Sequence, residues 1–133
     1  MSVRKTFWIL CAAVLLLAIP VLSSEAEAQY LAEAIAALGD EPYVVRVAYG
    51  ELLLNRLDSD RFPDTLPAVL YSMYGGRIPR GKPTESDRRA AATAYRRLRF
   101  ADGALFMCKW SEAENTPLMM RSGVRFYDWF FYI

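Results

Sequence analysis

The hydrophobic pattern is clearest in the first half of the chain, where two helical periods are separated by a short polar break. Leu31, Ile35 and Leu38 recur at helical spacing, and the period stops at Gly39, a residue that commonly ends helices in the left-handed conformation. A second period runs over residues 42–57 and begins with a proline, which is favoured in the first turn of a helix. The pattern therefore predicts two consecutive helices joined by a tight turn.

The second helix carries polar side chains inside an otherwise apolar face. When its residues are placed at 100° intervals, Glu51 and Asn55 fall within the apolar arc. A buried carboxylate costs several kcal/mol unless it is paired, hydrated or neutralised. Glu51 therefore marks either a site of chemistry or a carboxyl that is held by hydrogen bonds, with Asn55 as the expected partner.

Two further helices are predicted after this central pair. A short helix is expected after Asp64 or Thr65, either of which can cap it, and it should end at the glycine pair 75–76. The following basic loop has no periodicity. Residues 84–99 then predict a helix that starts with a capping box and buries a face of small residues.

The C-terminal third predicts strands. Residues 104–109 alternate between apolar and polar positions, and residues 124–132 are strongly β-prone and rich in aromatic side chains. A polar loop over residues 110–116 separates them. We expect the two segments to pair, so the predicted fold class is α+β: a small helix-rich single domain with a central buried helix and a C-terminal antiparallel β-hairpin.

The first 28 residues have the features of a secretory signal peptide. Arg4 and Lys5 precede an apolar run over residues 7–21, and Ala26-Glu27-Ala28 forms a small-x-small cleavage site. The run is shorter than the roughly 20 residues that span a bilayer, although an uncleaved anchor is the alternative. We therefore expect a secreted or cell-envelope protein, with a folded domain over residues 29–133 and membrane contact only through this segment.

Composition excludes several catalytic classes. The chain has no histidine, which rules out Ser-His-Asp and Cys-His triads and His-based zinc sites. Cys108 is the one cysteine beyond the predicted signal peptide, so no intrachain disulfide is expected there, and its apolar neighbours predict a buried small hydrophobe. No cluster of metal-ligand residues stands out, and no metal or cofactor is expected.

Charge is nearly balanced over the whole chain, with 16 basic and 15 acidic residues, but it is uneven along it. Much of the predicted helix at 84–99 is basic. These side chains predict either a solvated face or a surface that attracts anionic wall polymers. Nucleic acid is not expected as a partner of a secreted chain. The basic residues are Arg88, Arg89, Arg96, Arg97 and Arg99.

Four short motifs stand at defined intervals around the central helix: Glu41-Pro42-Tyr43, Arg46-Val47-Ala48, Leu52-Leu53-Leu54-Asn55-Arg56 and Phe62-Pro63-Asp64-Thr65. This combination resembles the SleB-like cell wall hydrolases, the spore-cortex-lytic and related peptidoglycan hydrolases. Their usual pattern is E-A-x-G-E-P-Y, then x-x-x-V-A-x-x-x-L-N-R, then F-P-x-T. The resemblance implies their fold and an action on peptidoglycan glycan strands, of the glycosidase or lytic transglycosylase type.

The chain departs from the family pattern in two places. The first Glu of E-A-x-G-E-P, which is thought to protonate the glycosidic oxygen, falls on Ala37. The segment 76–79 stands where the family carries a Q-F-S-like element beside the active site. The alternatives are a hydrolase that uses another carboxylate, a catalytically silent relative that binds peptidoglycan or a partner protein, and an envelope protein whose basic helix binds anionic polymer.

Three carboxylates could replace the missing acid. Glu33 lies one helical turn before Ala37, and Glu41 is retained from the motif but sits at a helix start, where backbone N–H groups favour a charged carboxylate. Burial of a carboxyl group favours its protonated form, which acid catalysis needs. Glu51 is the carboxyl that is expected to be buried, so it is the candidate whose pKa should be raised. The candidate catalytic residues are therefore Glu41 and Glu51. The candidate substrate-binding residues are Tyr43, Asn55, Trp110 and Tyr127.

Overall fold

The computed structural model describes residues 24–115 and 123–133. Within these ranges the chain forms helices α1 (Ser24–Ala37), α2 (Tyr43–Asp58), α3 (Leu66–Met73) and α4 (Glu85–Tyr95), strand β1 (Phe106–Lys109), helix α5 (Trp110–Ala113) and strands β2 (Gly123–Phe126) and β3 (Trp129–Tyr132). The strands form one antiparallel sheet in the order β1-β3-β2. This is the helix-rich α+β architecture that the sequence predicts.

The predicted signal peptide falls largely on residues 1–23, which lie outside the described residues. Its expected cleavage site, Ala26-Glu27-Ala28, lies in the first turns of α1. None of the helices in the described ranges is long and apolar enough to cross a membrane.

Helix α2 is the buried centre of the fold, as predicted. Val47 and Leu52 are 0% exposed and Leu54 is 1% exposed, and the helix packs against α1, α3, α4 and β3. Its start differs from the expected one, because Pro42 occupies the cap position and no side chain caps the helix. The chain enters this cap through a tight turn at Gly39, which has a φ of +82°.

Helix α4 ends at Tyr95, whereas the sequence predicts a helix that continues to Arg99. Arg97 and Arg99 have φ values of +53° and +63°, which no right-handed helix accommodates. The backbone N–H of Arg99 donates to Glu51 on α2, so a tertiary hydrogen bond replaces a helical one. Leu98, which lies between these two arginines, is consequently exposed.

The aromatic C-terminal segment forms two strands, whereas its strong overall β propensity predicts one. It reverses at Tyr127 and Asp128, where Tyr127 has a φ of +55°, and β2 and β3 pair as a hairpin. Strand β1 then adds to the other edge of β3, with Cys108 opposite Phe130, so the predicted pairing is right for β3. The polar loop expected at 110–116 instead begins with the short helix α5.

Helices α2 and α4 lie close together at Gly50, where the buried alanine face of α4 meets α2. A Cβ atom on Gly50 would lie 2.8 Å from Ala94 Cβ and 3.4 Å from Ile35 Cδ1. Gly→Ala within a helix ordinarily gains about 1 kcal/mol. Here we expect Gly50→Ala to lower the free energy of unfolding by about 1–3 kcal/mol, because the added methyl overpacks a rigid contact.

Urea unfolding of Gly50→Ala measures this cost. Adding Ala94→Gly should recover part of the lost stability by reopening the contact, whereas adding Ala92→Gly, at an exposed position on the same helix, should not. A neutral or stabilising Gly50→Ala would contradict the close approach of the two helices.

Candidate functional site

A cavity of about 550 Å³ lies between the C-terminal half of α2 and the loop that follows α4. Both polar residues that the sequence places inside the apolar arc of α2 line this cavity. The loop supplies charged side chains of both signs. The lining residues are Glu51, Asn55, Asp58, Arg97, Arg99, Asp102 and Gly103.

The carboxylate of Glu51 fastens this loop to the central helix. Glu51 is 2% exposed, and its two oxygens accept hydrogen bonds from the backbone N–H groups of Arg99, at 2.9 Å, and Ala101, at 2.8 Å. Both oxygens of the Glu51 side chain thus act as acceptors for backbone donors of the loop. The carboxyl is therefore engaged in structure.

Asn55 has different partners from the one that the sequence predicts. Its Nδ2 donates to the carbonyl oxygen of Ala104 at 3.0 Å, and its Oδ1 accepts from Arg97 Nη1 at 3.0 Å. Arg97 also donates to Asp58 Oδ2 at 2.8 Å. Glu51 and Asn55 thus hold neighbouring parts of one loop and do not pair with each other.

The L-N-R and F-P-x-T motifs connect the central helix to the start of the sheet. Arg56 Nε donates to the carbonyl oxygen of Leu105 at 2.7 Å, and its guanidinium lies 4.6 Å from the ring centroid of Phe62 and 5.3 Å from that of Phe106. Thr65, at the end of the second motif, caps α3 by accepting from a backbone N–H. The motif residues therefore determine how the elements pack.

The E-P-Y motif connects the start of α2 to α4. Tyr43 is 38% exposed, and its hydroxyl lies 2.8 Å from Thr93 Oγ1. Arg46 Nη1 donates to Asp87 Oδ1 at 2.9 Å across the same pair of helices. Glu41 beside them is partly exposed, and its carboxylate forms no hydrogen bond or ion pair with the described residues.

The loop residues that follow segment 76–79 pack against the end of α1. Ala37 is exposed at the end of α1, and the loop that contains residues 76–79 crosses the helix there. The N–H of Gly81 donates to the carbonyl oxygen of Glu33 at 2.9 Å, and a Cβ on Gly81 would lie 2.6 Å from the backbone nitrogen of Ala37. The loop thus packs on the backbone at Ala37.

An arginine of this loop engages the nearest carboxylate. Arg80 donates to both oxygens of Glu33, with its Nε at 2.7 Å and its Nη2 at 3.2 Å. The hydrogen bond from Arg80 lowers the pKa of Glu33, burial opposes this shift, and a further bond from Gln29 strengthens it. Glu33 is therefore held ionised and is poorly suited to donate a proton.

Trp110 and Tyr127 lie together at the tip of the β2–β3 hairpin. Trp110 packs edge-on against Phe130, and the guanidinium of Arg125 covers its ring at 4.4 Å from the centroid. Arg125 Nε also donates to the carbonyl oxygen of Tyr127, whose side chain is 65% exposed. A cavity of about 230 Å³ opens beside Trp110.

The structure therefore distributes the candidate residues over three places. Glu51 and Asn55 share the large cavity, Trp110 and Tyr127 share the hairpin tip, and Tyr43 lies near Glu41 at the start of α2. The charged loop residues of the cavity are not predicted from the sequence, because Arg97 and Arg99 fall within the helix predicted at residues 84–99. The turn residues Ala101-Asp102-Gly103 are the sequence signal that could have predicted a loop in this region.

Cys108 is a half-buried thiol with a raised pKa. Burial raises the pKa, and the nearby Glu112 carboxylate raises it further. The adjacent Lys109 places its Nζ over the ring of Trp129, 4.0 Å from the centroid. We expect slow alkylation of native Cys108 by iodoacetamide at neutral pH, since the thiolate is the reactive form.

Peptide mapping by mass spectrometry gives the rate at Cys108 separately from that at Cys11. A Ser111→Cys variant places a thiol at an exposed position and supplies the reference rate. Native Cys108 that reacts as fast as this reference would contradict the expectation.

Comparison with known proteins identifies the fold. No family model matches the chain, and no curated protein sequence matches it. The catalytic domain of the germination-specific lytic transglycosylase SleB from Bacillus anthracis superposes with a TM-score of 0.65 at 24% identity, covering 86% of this chain and 100% of that one. The catalytic domain of Bacillus cereus SleB gives 0.66 at 22% identity, with 86% and 95% covered. The fold implied by the motifs is therefore confirmed.

Proposed function

We propose that this chain binds the glycan strands of peptidoglycan through a SleB-type fold and cleaves them weakly or not at all. The observation that carries the proposal is the likeness to SleB catalytic domains over their full length, combined with Ala37 at the position of the acid. The retained fold supports the substrate class. The missing carboxyl argues against efficient cleavage.

The described carboxylates near the candidate positions support weak cleavage. Glycosidic cleavage needs a carboxyl that is protonated beside the leaving oxygen. Glu33 is paired with Arg80, and both oxygens of Glu51 accept backbone hydrogen bonds. Each would have to lose these bonds before it could donate a proton to a substrate.

A second candidate function is a glycosidase or lytic transglycosylase that uses Glu41. This residue is partly exposed and lacks hydrogen-bond partners for its carboxylate within the described residues, so it is available to a substrate. It is also the carboxylate that the motif retains. Tyr43, two residues later, would lie close to the same glycan.

Two assays separate these functions. A pull-down on insoluble peptidoglycan measures binding, with cellulose as the control polymer, and dye release from labelled peptidoglycan measures cleavage. Binding with little dye release supports the first proposal, and strong release that Glu41→Gln abolishes supports the second. Absence of both binding and release overturns the proposed function, as does strong release that survives Glu33→Gln, Glu41→Gln and Glu51→Gln separately.

Export is part of the proposal, because peptidoglycan lies outside the cytoplasmic membrane. The N-terminal segment would direct secretion and be removed after Ala28. This cleavage would remove Glu27, whose Oε1 accepts a hydrogen bond from Tyr95 at 2.9 Å, but would keep the buried Leu31 and Ile35. Mass spectrometry of the mature protein from a secreting host gives the new N-terminus.

Anionic wall polymers are a proposed additional partner. Arg88 and Arg89 on α4 and Arg96 just beyond it are exposed, whereas Arg97 is engaged in the cavity. The exposed arginines would attract these anionic polymers through long-range electrostatic interactions. Salt-sensitive binding that falls when wall teichoic acid is extracted from the peptidoglycan would support this partner.

A further inference from the structure

Two oppositely charged side chains that line the cavity beside α2 take little part in holding the fold together. Arg99 and Asp102 have side chains that are 80% and 78% exposed, and Arg99 Nη1 lies 4.0 Å from Asp102 Oδ1, at the outer limit of an ion pair. Neither side chain forms a hydrogen bond with the described residues. Their hydrogen-bonding capacity is therefore available to a ligand.

The backbone that carries these side chains is nevertheless firmly held. Glu51 binds the N–H groups of Arg99 and Ala101, and Arg97 is bound to both Asn55 and Asp58. Arg97 and Arg99 both have positive φ values, and such strained residues persist where the surroundings fix them and are concentrated at functional sites. The two charges are thus presented at the cavity mouth from a fixed loop.

We propose that this cavity binds a zwitterionic amino-acid centre, one carbon that bears both an ammonium and a carboxylate group. Arg99 would bind the carboxylate through its guanidinium, which suits planar carboxylates. Asp102 would bind the ammonium, together with Asp58, which also lines the cavity. The volume of about 550 Å³ is within the range of small-ligand sites.

The source of this centre rests on the proposed function. Uncross-linked peptidoglycan stem peptides that contain diaminopimelate carry a free ammonium and carboxylate on one carbon. A protein that binds glycan strands would meet such peptides beside the strand. The cavity would therefore add recognition of uncross-linked peptides to recognition of the glycan.

Calorimetric titration with a soluble stem peptide that contains free diaminopimelate tests the proposal directly. Arg99→Gln and Asp102→Asn should each weaken binding about tenfold, since each removes a charge-assisted hydrogen bond. Arg99→Gln keeps the backbone N–H that Glu51 binds, so the loop should remain anchored. Lys82→Gln removes an exposed cation that does not line the cavity, and it should leave binding unchanged.

One further peptide and a stripped polymer complete the test. In a blocked peptide, the free amine of diaminopimelate is acetylated and the carboxyl group on the same carbon is amidated. This peptide should bind at least about tenfold more weakly than the free peptide. Equal binding of free and blocked peptides, insensitivity to the rim variants, or no binding of the free peptide would overturn the proposal. Glycan strands stripped of peptides by an amidase test the proposed function separately, because they lack the zwitterionic centre.

Discussion

Replacing Glu51 by Gln is expected to lower the free energy of unfolding by about 1–3 kcal/mol, because a buried backbone N–H loses its acceptor. The carboxylate accepts from Arg99 and Ala101, one N–H on each oxygen. Glutamine has the same shape, but it offers one oxygen and presents an NH₂ group to the second donor. The substitution therefore leaves that N–H unsatisfied in a buried place.

Urea unfolding measures the loss of stability, and hydrogen exchange at the amides of Arg99 and Ala101 locates it. Glu33→Gln is the matched control, because it removes a carboxylate whose partner Arg80 is 60% exposed, and it should cost less than about 1 kcal/mol. If Glu51→Gln kept full stability and amide protection while abolishing dye release, Glu51 would be a catalytic acid and the structural role would be wrong.

The helical spacing of apolar residues correctly predicts the buried central helix, because the apolar face of α2 can be read from neighbouring positions along the chain. The end of α4 is not predictable in the same way. Arg99 leaves the helical conformation to donate to Glu51, which is far away along the chain. Propensity within residues 84–99 contains no information about that acceptor.

The C-terminal strands show a similar limit. Six of the nine residues from 124 to 132 are aromatic and favour extended backbone, so the sequence predicts one strand. The reversal at Tyr127 requires a positive φ at a residue that rarely adopts it. It is stabilised by the pairing of β2 with β3, a contact that propensity does not describe.

The candidate site is predicted in part. A carboxylate within an apolar arc correctly identifies Glu51 and Asn55 as unusual, but their partners come from a loop after α4. The two departures from the family pattern are recognised separately in the sequence. Only the fold shows that the loop after segment 76–79 packs against α1, since Gly81 packs against the backbone at Ala37 while Arg80 engages Glu33.

The largest expected effect is a gain of cleavage on replacing Ala37 by Glu. A positioned proton donor contributes roughly 10²–10⁴-fold to a rate, and Ala37 is an exposed residue that can accept a larger side chain without filling the core. We therefore expect Ala37→Glu to increase dye release from labelled peptidoglycan substantially over the wild type. Ala92→Glu, an exposed alanine on α4, is the matched control and should give no increase.

Arg80 is expected to limit the increase in dye release that Ala37→Glu produces. Its guanidinium lowers the pKa of Glu33, and it would stabilise the ionised form of a second carboxylate placed one turn away. Adding Arg80→Gln to Ala37→Glu should therefore increase dye release further and extend activity towards higher pH, because the new carboxyl would keep its proton longer. A wild type that already cleaves strongly, with Ala37→Glu neutral or harmful, would show that Glu41 or Glu51 has taken over the acid role.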